Sequence, residues 1–483
     1  LATPDLTEVP YDPAEVQKLA FGGHRGYPEA TLLFHRFEDA RGARAFLADV
    51  LPAVTFVTAT GREPTRLQIA LSHSGLKALG LDEAVLETFS VEFRDGMAAR
   101  HRVLGDDPAE HPRWDYGGAL PVDLVTLAYA RDAASHARQV SELRELARGH
   151  GLVEVAQQTT TSVPPDEPVV EHFGFRDGLT NPTIAGGDGR RVKPEDGTPG
   201  PTGTVVARGE VVLGAANGYG YRTIGPSVAA ALDRRDRLPA FLEPDLKDLG
   251  AHGTYLVLRK LEQDVAGFWR AMDEGARELG GDVDADWLAA RVVGRWKNGS
   301  PVTSSPDRPG PEPRDDDPGM GFSMDRFGRR CPIGAHVRRA NPRDGLGDDT
   351  EVSLELVSRH RLHRRGRPYG PKIADPRVDD GQRRGLVFMA VGASLRRQFE
   401  FVQNLWLTNT AFNGLHGQDD PLVGPRARGY FPDGVQATPF DLPGFPVRRT
   451  VSGLPRFVAP RGGEYFFLPS RAALIFFSEL GPT

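Results

Sequence analysis

Twice along the chain the hydrophobic pattern runs strand, helix, strand and again strand, helix, strand, and this order constrains the fold more than any other feature. In the first half, residues 31–37 read as a strand and are followed by a helix through 44–48. Residues 65–71 alternate polar and apolar with the period of a half-buried strand. Residues 123–129 read as a further strand, 131–149 as a helix that stops near Gly151, and 152–155 as a returning strand. The second half gives a strand at 254–259, a helix at 265–279, a helix at 287–296 and an apolar strand at 386–391. A helix through Phe399, Val402 and Trp406 follows, then a hairpin at 460–467 that feeds a last helix. A β-α-β-β-α-β order predicts a ferredoxin-like sheet with helices on one face. Two such halves without sequence repetition predict a duplicated α+β architecture.

Composition narrows the function classes. With 59 basic against 65 acidic residues the net charge is −6, so no global field recruits nucleic acid or an anionic membrane. One cysteine, Cys331, excludes a disulfide scaffold, a thiolate metal cluster and covalent c-type haem attachment. No apolar run reaches the roughly 18 residues of a membrane span, and the first residues are polar with no signal-peptide core, which gives a cytoplasmic expectation. Gly (56) and Pro (40) are frequent enough to predict long loops. They concentrate at 186–205 and at 299–320, where Asp315, Asp316 and Asp317 form an acidic run. The expected division is an N-terminal unit at 1–190, a loop-rich connection at 191–250 and a C-terminal unit at 251–483.

Three stretches combine turn residues with ionisable groups flanked by apolar ones. In F-G-F-R-D-G-L-T-N-P (173–182), two glycines bracket Asp177 between bulky hydrophobes. Such a turn can simply cap its own backbone, or it can hold a carboxylate beside an apolar pocket where it can move a proton. In C-P-I-G-A-H-V-R-R-A-N-P-R-D (331–344), Gly334 and Ala335 are expected to leave space beside His336 for a large flat group. Arg338, Arg339 and Arg343 supply cations for carboxylates or phosphates. In H-R-R-G-R-P-Y-G (363–370), a very basic run reads in isolation as a solvated turn.

Together these stretches resemble the dye-decolorizing peroxidase family, which binds haem b non-covalently in a dimeric α+β barrel of two ferredoxin-like halves. G-x-x-D-G at 174–178 matches the family's distal motif, P-I-G-A-H-V-R-R-A-N-P-R its proximal-histidine motif, and R-R-G-R-P-Y-G the segment of its distal arginine. The blocks at 293–301, 397–403 and 461–470 are similar to further family segments, and the long insertions resemble its larger, loop-extended members.

The resemblance implies His336 as the proximal ligand of the haem iron. A carboxylate on its far nitrogen would strengthen its donation, with Asp420 the first candidate and Glu400 the second. It implies Arg338 or Arg343 as the partner of the haem propionates. Asp177 becomes the group that moves the proton of hydrogen peroxide, and Arg364 the one that stabilises charge as the O–O bond breaks. His172, just before the motif, is assigned a structural role. The implied function is a peroxidase that oxidises dyes, phenols and other aromatic donors in one-electron steps, as a monomer or homodimer. Trp406, expected toward the proximal side, and Tyr430, expected toward solvent, are the candidate oxidisable side chains on an electron path to bulky donors. Mn(II) is a further candidate donor, with Glu274 and Glu278 one helical turn apart as candidate ligands. The alternative on the same fold is a haem-handling protein that releases iron.

Overall fold

Strand β1 (Glu29–Phe37) is buried over six consecutive residues, 30–35, so both of its faces are covered. The computed structural model describes residues 9–161, 163–164, 167–186, 205–281, 283–313, 320–425, 437–444 and 447–481. The acidic run at 315–317, most of the segment 186–205 and Tyr430 lie outside these residues. After β1 comes the helix Ala40–Val50, whose Asp39 cap accepts from Gly42 N at 2.8 Å. Then follow β2 (Thr65–Leu71), β3 (Leu124–Ala130), the helix Ala133–Gly149, capped by Asp132, and β4 (Leu152–Thr159). The connection to the second half carries only short pairs: β5 (Thr183–Ile184) parallel to β6 (Val205–Val206), and β7 (Ser227–Ala229) antiparallel to β8 (Leu246–Asp248).

The second half opens with β9 (Thr254–Gln263) and the helices Val265–Leu279 and Ala285–Val293. It continues with β10 (His363–Arg364), β11 (Arg367–Tyr369) and β12 (Gly385–Gly392). A hairpin of β13 (Ala437–Leu442) and β14 (Arg449–Pro455) precedes β15 (Val458–Leu468) and the helix Arg471–Ser478. The main sheet has the order β4-β1-β3-β2-β15-β9-β12-β10, with β11 also on β12 and all pairs antiparallel. In each half the first strand lies between the last and the third, with the second outside the third. That is the ferredoxin-like arrangement expected from the sequence, and the halves meet edge to edge where Phe467 of β15 pairs with Leu71 of β2. Neighbouring residues of one strand feed different cores: Leu33 joins Phe46, Leu71 and Tyr255, whereas Leu32 joins Leu256, Leu258 and Met389. No helix among the described residues is long and apolar enough to cross a membrane.

One local expectation fails, and another is met with an unexpected geometry. The expected hairpin at 460–467 is one continuous strand, β15, with a bulge between Pro460 and Gly462. Gly462 and Gly463 let other chain segments approach: a Cβ on Gly462 would stand 3.1 Å from the Tyr116 ring, and one on Gly463 would collide with the Met97 sulfur. The helix through Phe399 and Trp406 has π-type turns at Arg396–Glu400 and Val402–Leu407. Its wider i→i+5 bonds include Glu400 N to Leu395 O at 2.9 Å and Thr408 N to Gln403 O at 3.0 Å.

Candidate active site

Asp177 sits on a turn fixed from several directions. Gly174 and Gly178 adopt φ of 99° and 79°, a region that side-chain-bearing residues avoid, which accounts for both glycines of the motif. The Glu171 carboxylate accepts from Phe173 N and Phe175 N, each at 2.9 Å, and from Gln263 Nε2 at 2.5 Å. Asp177 N itself bonds Val169 O at 2.8 Å. Phe173 and Phe175 anchor the turn in the core beside Phe268. The Asp177 side chain is left 29% exposed, with Oδ1 accepting from Arg364 Nη1 at 2.9 Å and from Gly178 N at 2.6 Å. Burial opposes its ionisation, but the Arg364 charge, these hydrogen bonds and the nearby His336 ring together hold its pKa below the ordinary carboxylate value.

Arg364 reaches this turn from β10. Its backbone is locked to the same loop by a reciprocal pair, Arg364 N to Asn181 Oδ1 and Asn181 Nδ2 to Arg364 O, both at 3.1 Å. The sequence reading missed Asn181, although it stands in the motif block four residues after Asp177. His172 Nε2 lies 2.8 Å from Tyr369 O, joining the turn to β11.

His336 opens the short helix His336–Ala340, and its Nδ1 lies 2.9 Å from Asp420 Oδ2. Asp420 is fully buried. Burial disfavours its charge, but the His336 ring and Arg339 outweigh that and lower its pKa. The ionised carboxylate can only accept, so Nδ1 carries the shared proton and Nε2 is the nitrogen left for a ligand. Asp420 Oδ1 is held by Leu422 N and Val423 N, both at 2.9 Å. The runner-up, Glu400, is committed elsewhere: it accepts from Arg100 at 2.5 and 2.7 Å and from the Tyr465 hydroxyl at 3.0 Å.

Arg338 requires correction. Its guanidinium bonds Cys331 O at 2.7 Å and Asp325 O at 2.9 Å and lies over the Phe322 ring, so it braces the 325–331 loop instead of reaching an open site. Arg343 remains. It is 1% exposed, and burial together with the neighbouring Arg361 charge pushes its pKa down to about 9. Arg361, which the sequence reading passed over two residues short of the basic segment, is pushed down to about 10 by burial and by Arg364. Arg343, Arg361 and Arg364 thus form a chain of mutually repelling cations, and an anion placed among them is favoured.

Gly334 and Ala335 do not clear space beside His336 as expected. Gly334 faces Phe440 and Gln418, and Ala335 packs with Trp296 and Cys331, so their small size serves close packing. Burial pushes the Cys331 thiol up to about 12, consistent with an inert core position. Trp406 is buried against Phe401 and His360, so no bulky donor can touch it directly. Glu274 and Glu278 are exposed on one helix, Glu278 accepts from Ser452 Oγ at 2.5 Å, and no metal-holding group of three or more His, Cys, Asp or Glu occurs among the described residues.

No protein-family model matches the chain. It is 28% identical to dye-decolorizing peroxidase msp1 of Mycetinis scorodonius over 91% of this chain and 83% of that one. It is 34% identical to multifunctional dye peroxidase DyP2 of an Amycolatopsis strain, over 48% of this chain and 50% of that one. Among solved structures, an ancestral D-type dye decolorizing peroxidase matches with a TM-score of 0.77 at 26% identity, covering 96% of this chain and 99% of that one. The fungal DyP-type peroxidase of Auricularia auricula-judae matches with a TM-score of 0.75 at 25% identity, covering 97% and 100%. Sequence relatives and structural neighbours thus agree across almost the whole length, and the chain is similar throughout to dye-decolorizing peroxidases.

Proposed function

We propose that this chain is a haem-dependent peroxidase that reduces hydrogen peroxide and oxidises dyes, phenols and other aromatic donors by one-electron steps. The observation that carries the reading is a set of two pairs: His336, with Nδ1 committed to buried Asp420, and Asp177, ion-paired with Arg364. Non-covalent haem b fits this donor set. An imidazole with one nitrogen fixed on a carboxylate suits haem iron, and the Arg343 and Arg361 cations suit its propionates. Haem would supply the iron that exchanges electrons with peroxide and donor, with His336 holding it and Arg343 and Arg361 orienting it.

The remaining chemistry belongs to the side chains. Arg364 and Gly178 N both occupy Oδ1 of Asp177, which leaves Oδ2 as the atom that takes the peroxide proton and returns it to the departing oxygen. Arg364, permanently charged, stabilises the negative charge that grows as the O–O bond lengthens. A haem-handling, iron-releasing role uses the same fold but has no need of a carboxylate–arginine pair facing the ligand histidine.

The pH profile tests the assignment. Because the Asp177 pKa is lowered, its basic form is present at and above the ordinary carboxylate value of roughly 3.9. The rate constant for peroxide consumption is therefore expected to stay flat down to that value and to fall only below it. The stability contributed by Asp177 ionisation follows the same sign, present above its unfolded pKa and lost as pH falls through the folded one. Arg364→Leu should move the acid limb upward as well as lower the plateau. An acid limb centred well above 3.9 in the unsubstituted protein contradicts Asp177 as the base.

A further inference from the structure

Three hydrogen-bond donors meet below the segment that precedes β1, with no acceptor for any of them. Arg66 on β2 and Tyr129 on β3 are direct cross-strand partners, so their side chains leave the same face of the sheet. His24, in the segment before β1, lies against both. Its ring centroid is 4.6 Å from that of Tyr129, and its Nδ1 is 2.9 Å from Arg66 Nη1. A guanidinium can only donate, so Nδ1 accepts and the imidazole proton sits on Nε2. That leaves the Nε2–H of His24, the Nε–H of Arg66 and the hydroxyl of Tyr129, all buried and all without a partner among the described residues.

The surroundings are positive. Burial drives the His24 pKa well below its ordinary value, and the strongest charges on its ring, from Arg66, Arg365, Arg367 and Lys18, drive it the same way. Carbonyls fix two of these cations in place. Arg365 Nε bonds Leu19 O and its Nη2 bonds Ala20 O, both at 2.9 Å, and Arg367 Nη1 bonds Tyr27 O at 2.9 Å. Arg66 and Arg367 bond no carboxylate among the described residues. His24 itself has a φ of 55°, a strained backbone for a side-chain-bearing residue.

A water molecule answers this arrangement poorly. It accepts two hydrogen bonds at most and brings two protons that need acceptors of their own, where none is left. An anion accepts from all three donors and is favoured by the surrounding cations. His24, Arg66 and Tyr129 are 4%, 8% and 1% exposed, which closes the site to a polyatomic anion. We propose that His24 Nε2, Arg66 Nε and Tyr129 Oη bind a single chloride ion, which fastens the segment before β1 to strands β2 and β3. The site shares no residue with the Asp177–Arg364 and His336–Asp420 pairs and does not depend on the haem reading.

The experiment follows thermal unfolding of the purified full chain in sodium chloride or sodium gluconate at matched ionic strength. Chloride bound only by the folded chain is expected to raise Tm, relative to gluconate, by roughly 1 °C for each tenfold rise above its dissociation constant. Arg66→Met should erase the difference between the two salts. Tyr129→Phe, which removes one donor and keeps the ring, should move the onset of the chloride effect to a concentration on the order of tenfold higher. Equal Tm in chloride and gluconate for the unsubstituted chain overturns the proposal. A chloride effect that Arg66→Met leaves intact overturns it as well, as does an onset that Tyr129→Phe leaves unmoved. If Arg66→Met does not fold, Tyr129→Phe decides alone: a later onset supports the site and an unmoved onset overturns it. The readout is stability in chloride and not peroxide turnover, so it decides the site whether or not the chain binds haem.

Discussion

Replacing His336 with alanine is expected to abolish ligated haem while leaving the chain folded. The imidazole is 28% exposed, whereas its partner Asp420 is fully buried. Removing the ring opens space at a partly exposed position, and it leaves a buried carboxylate without the donor at its Oδ2 that His336 supplies. A lost partner of this kind costs roughly 1–3 kcal/mol, so a lower urea midpoint should accompany the loss of haem. Haem titration followed at the Soret band checks the first effect and equilibrium unfolding the second. Wild-type haem content with an unaltered Soret band in His336→Ala would remove this residue from the proximal role.

The second large effect is expected at the opposite pair. Asp177→Asn removes a proton acceptor worth roughly 10²–10⁴ in rate, and Arg364→Leu removes a preorganised cation worth on the order of 10²–10³. Neither residue bonds His336 or Asp420, so both variants should keep haem. They differ in a second respect. Asn at 177 can still accept from Arg364, so the distal turn keeps its shape. Leu at 364 leaves Asp177 without the cation that holds its pKa down, which adds a pH shift to the slower rate. Stopped-flow mixing with peroxide, following the Soret band across pH, separates the two. Near wild-type rate constants in both variants would exclude the pair from the chemistry.

Much of this arrangement is legible in the sequence because it is local. The helix Val265–Leu279 falls exactly where its apolar spacing puts it, and β2 occupies Thr65–Leu71 as the alternation predicts. The glycines around Asp177 announce a turn that needs positive φ, and the turn is there. The errors arise where a residue's role depends on a distant segment. Gly462–Gly463 reads as a hairpin because two glycines in sequence usually turn a chain, yet here they admit Tyr116 and Met97 against a straight strand.

Arg338 and Arg339 are adjacent in a run of cations that looks uniform. The structure sends one to the 325–331 loop and the other to four carbonyls at 406–418. No spacing rule distinguishes them, because the distinction lies in which carbonyls the tertiary fold leaves in need of donors. Arg361 and Asn181 were missed for a related reason: each becomes relevant only once β10 meets the loop after Asp177, as Asn181 does through its paired bonds to the Arg364 backbone. By contrast, the choice of Asp420 over Glu400 as the partner of His336 holds, with Glu400 saturated by Arg100 and Tyr465.

The central claim is that the His336–Asp420 and Asp177–Arg364 pairs together make a peroxidase site around haem. The most direct measurement is the absorption spectrum of the haem-loaded protein before and after one equivalent of hydrogen peroxide, followed by stepwise addition of a one-electron phenolic donor and an assay of retained iron. The account predicts a rapid Soret change on peroxide, full return of the starting spectrum after two equivalents of donor, and no loss of iron. A Soret band that peroxide leaves unchanged, or a spectrum that turns into that of metal-free porphyrin as iron is released, would contradict it.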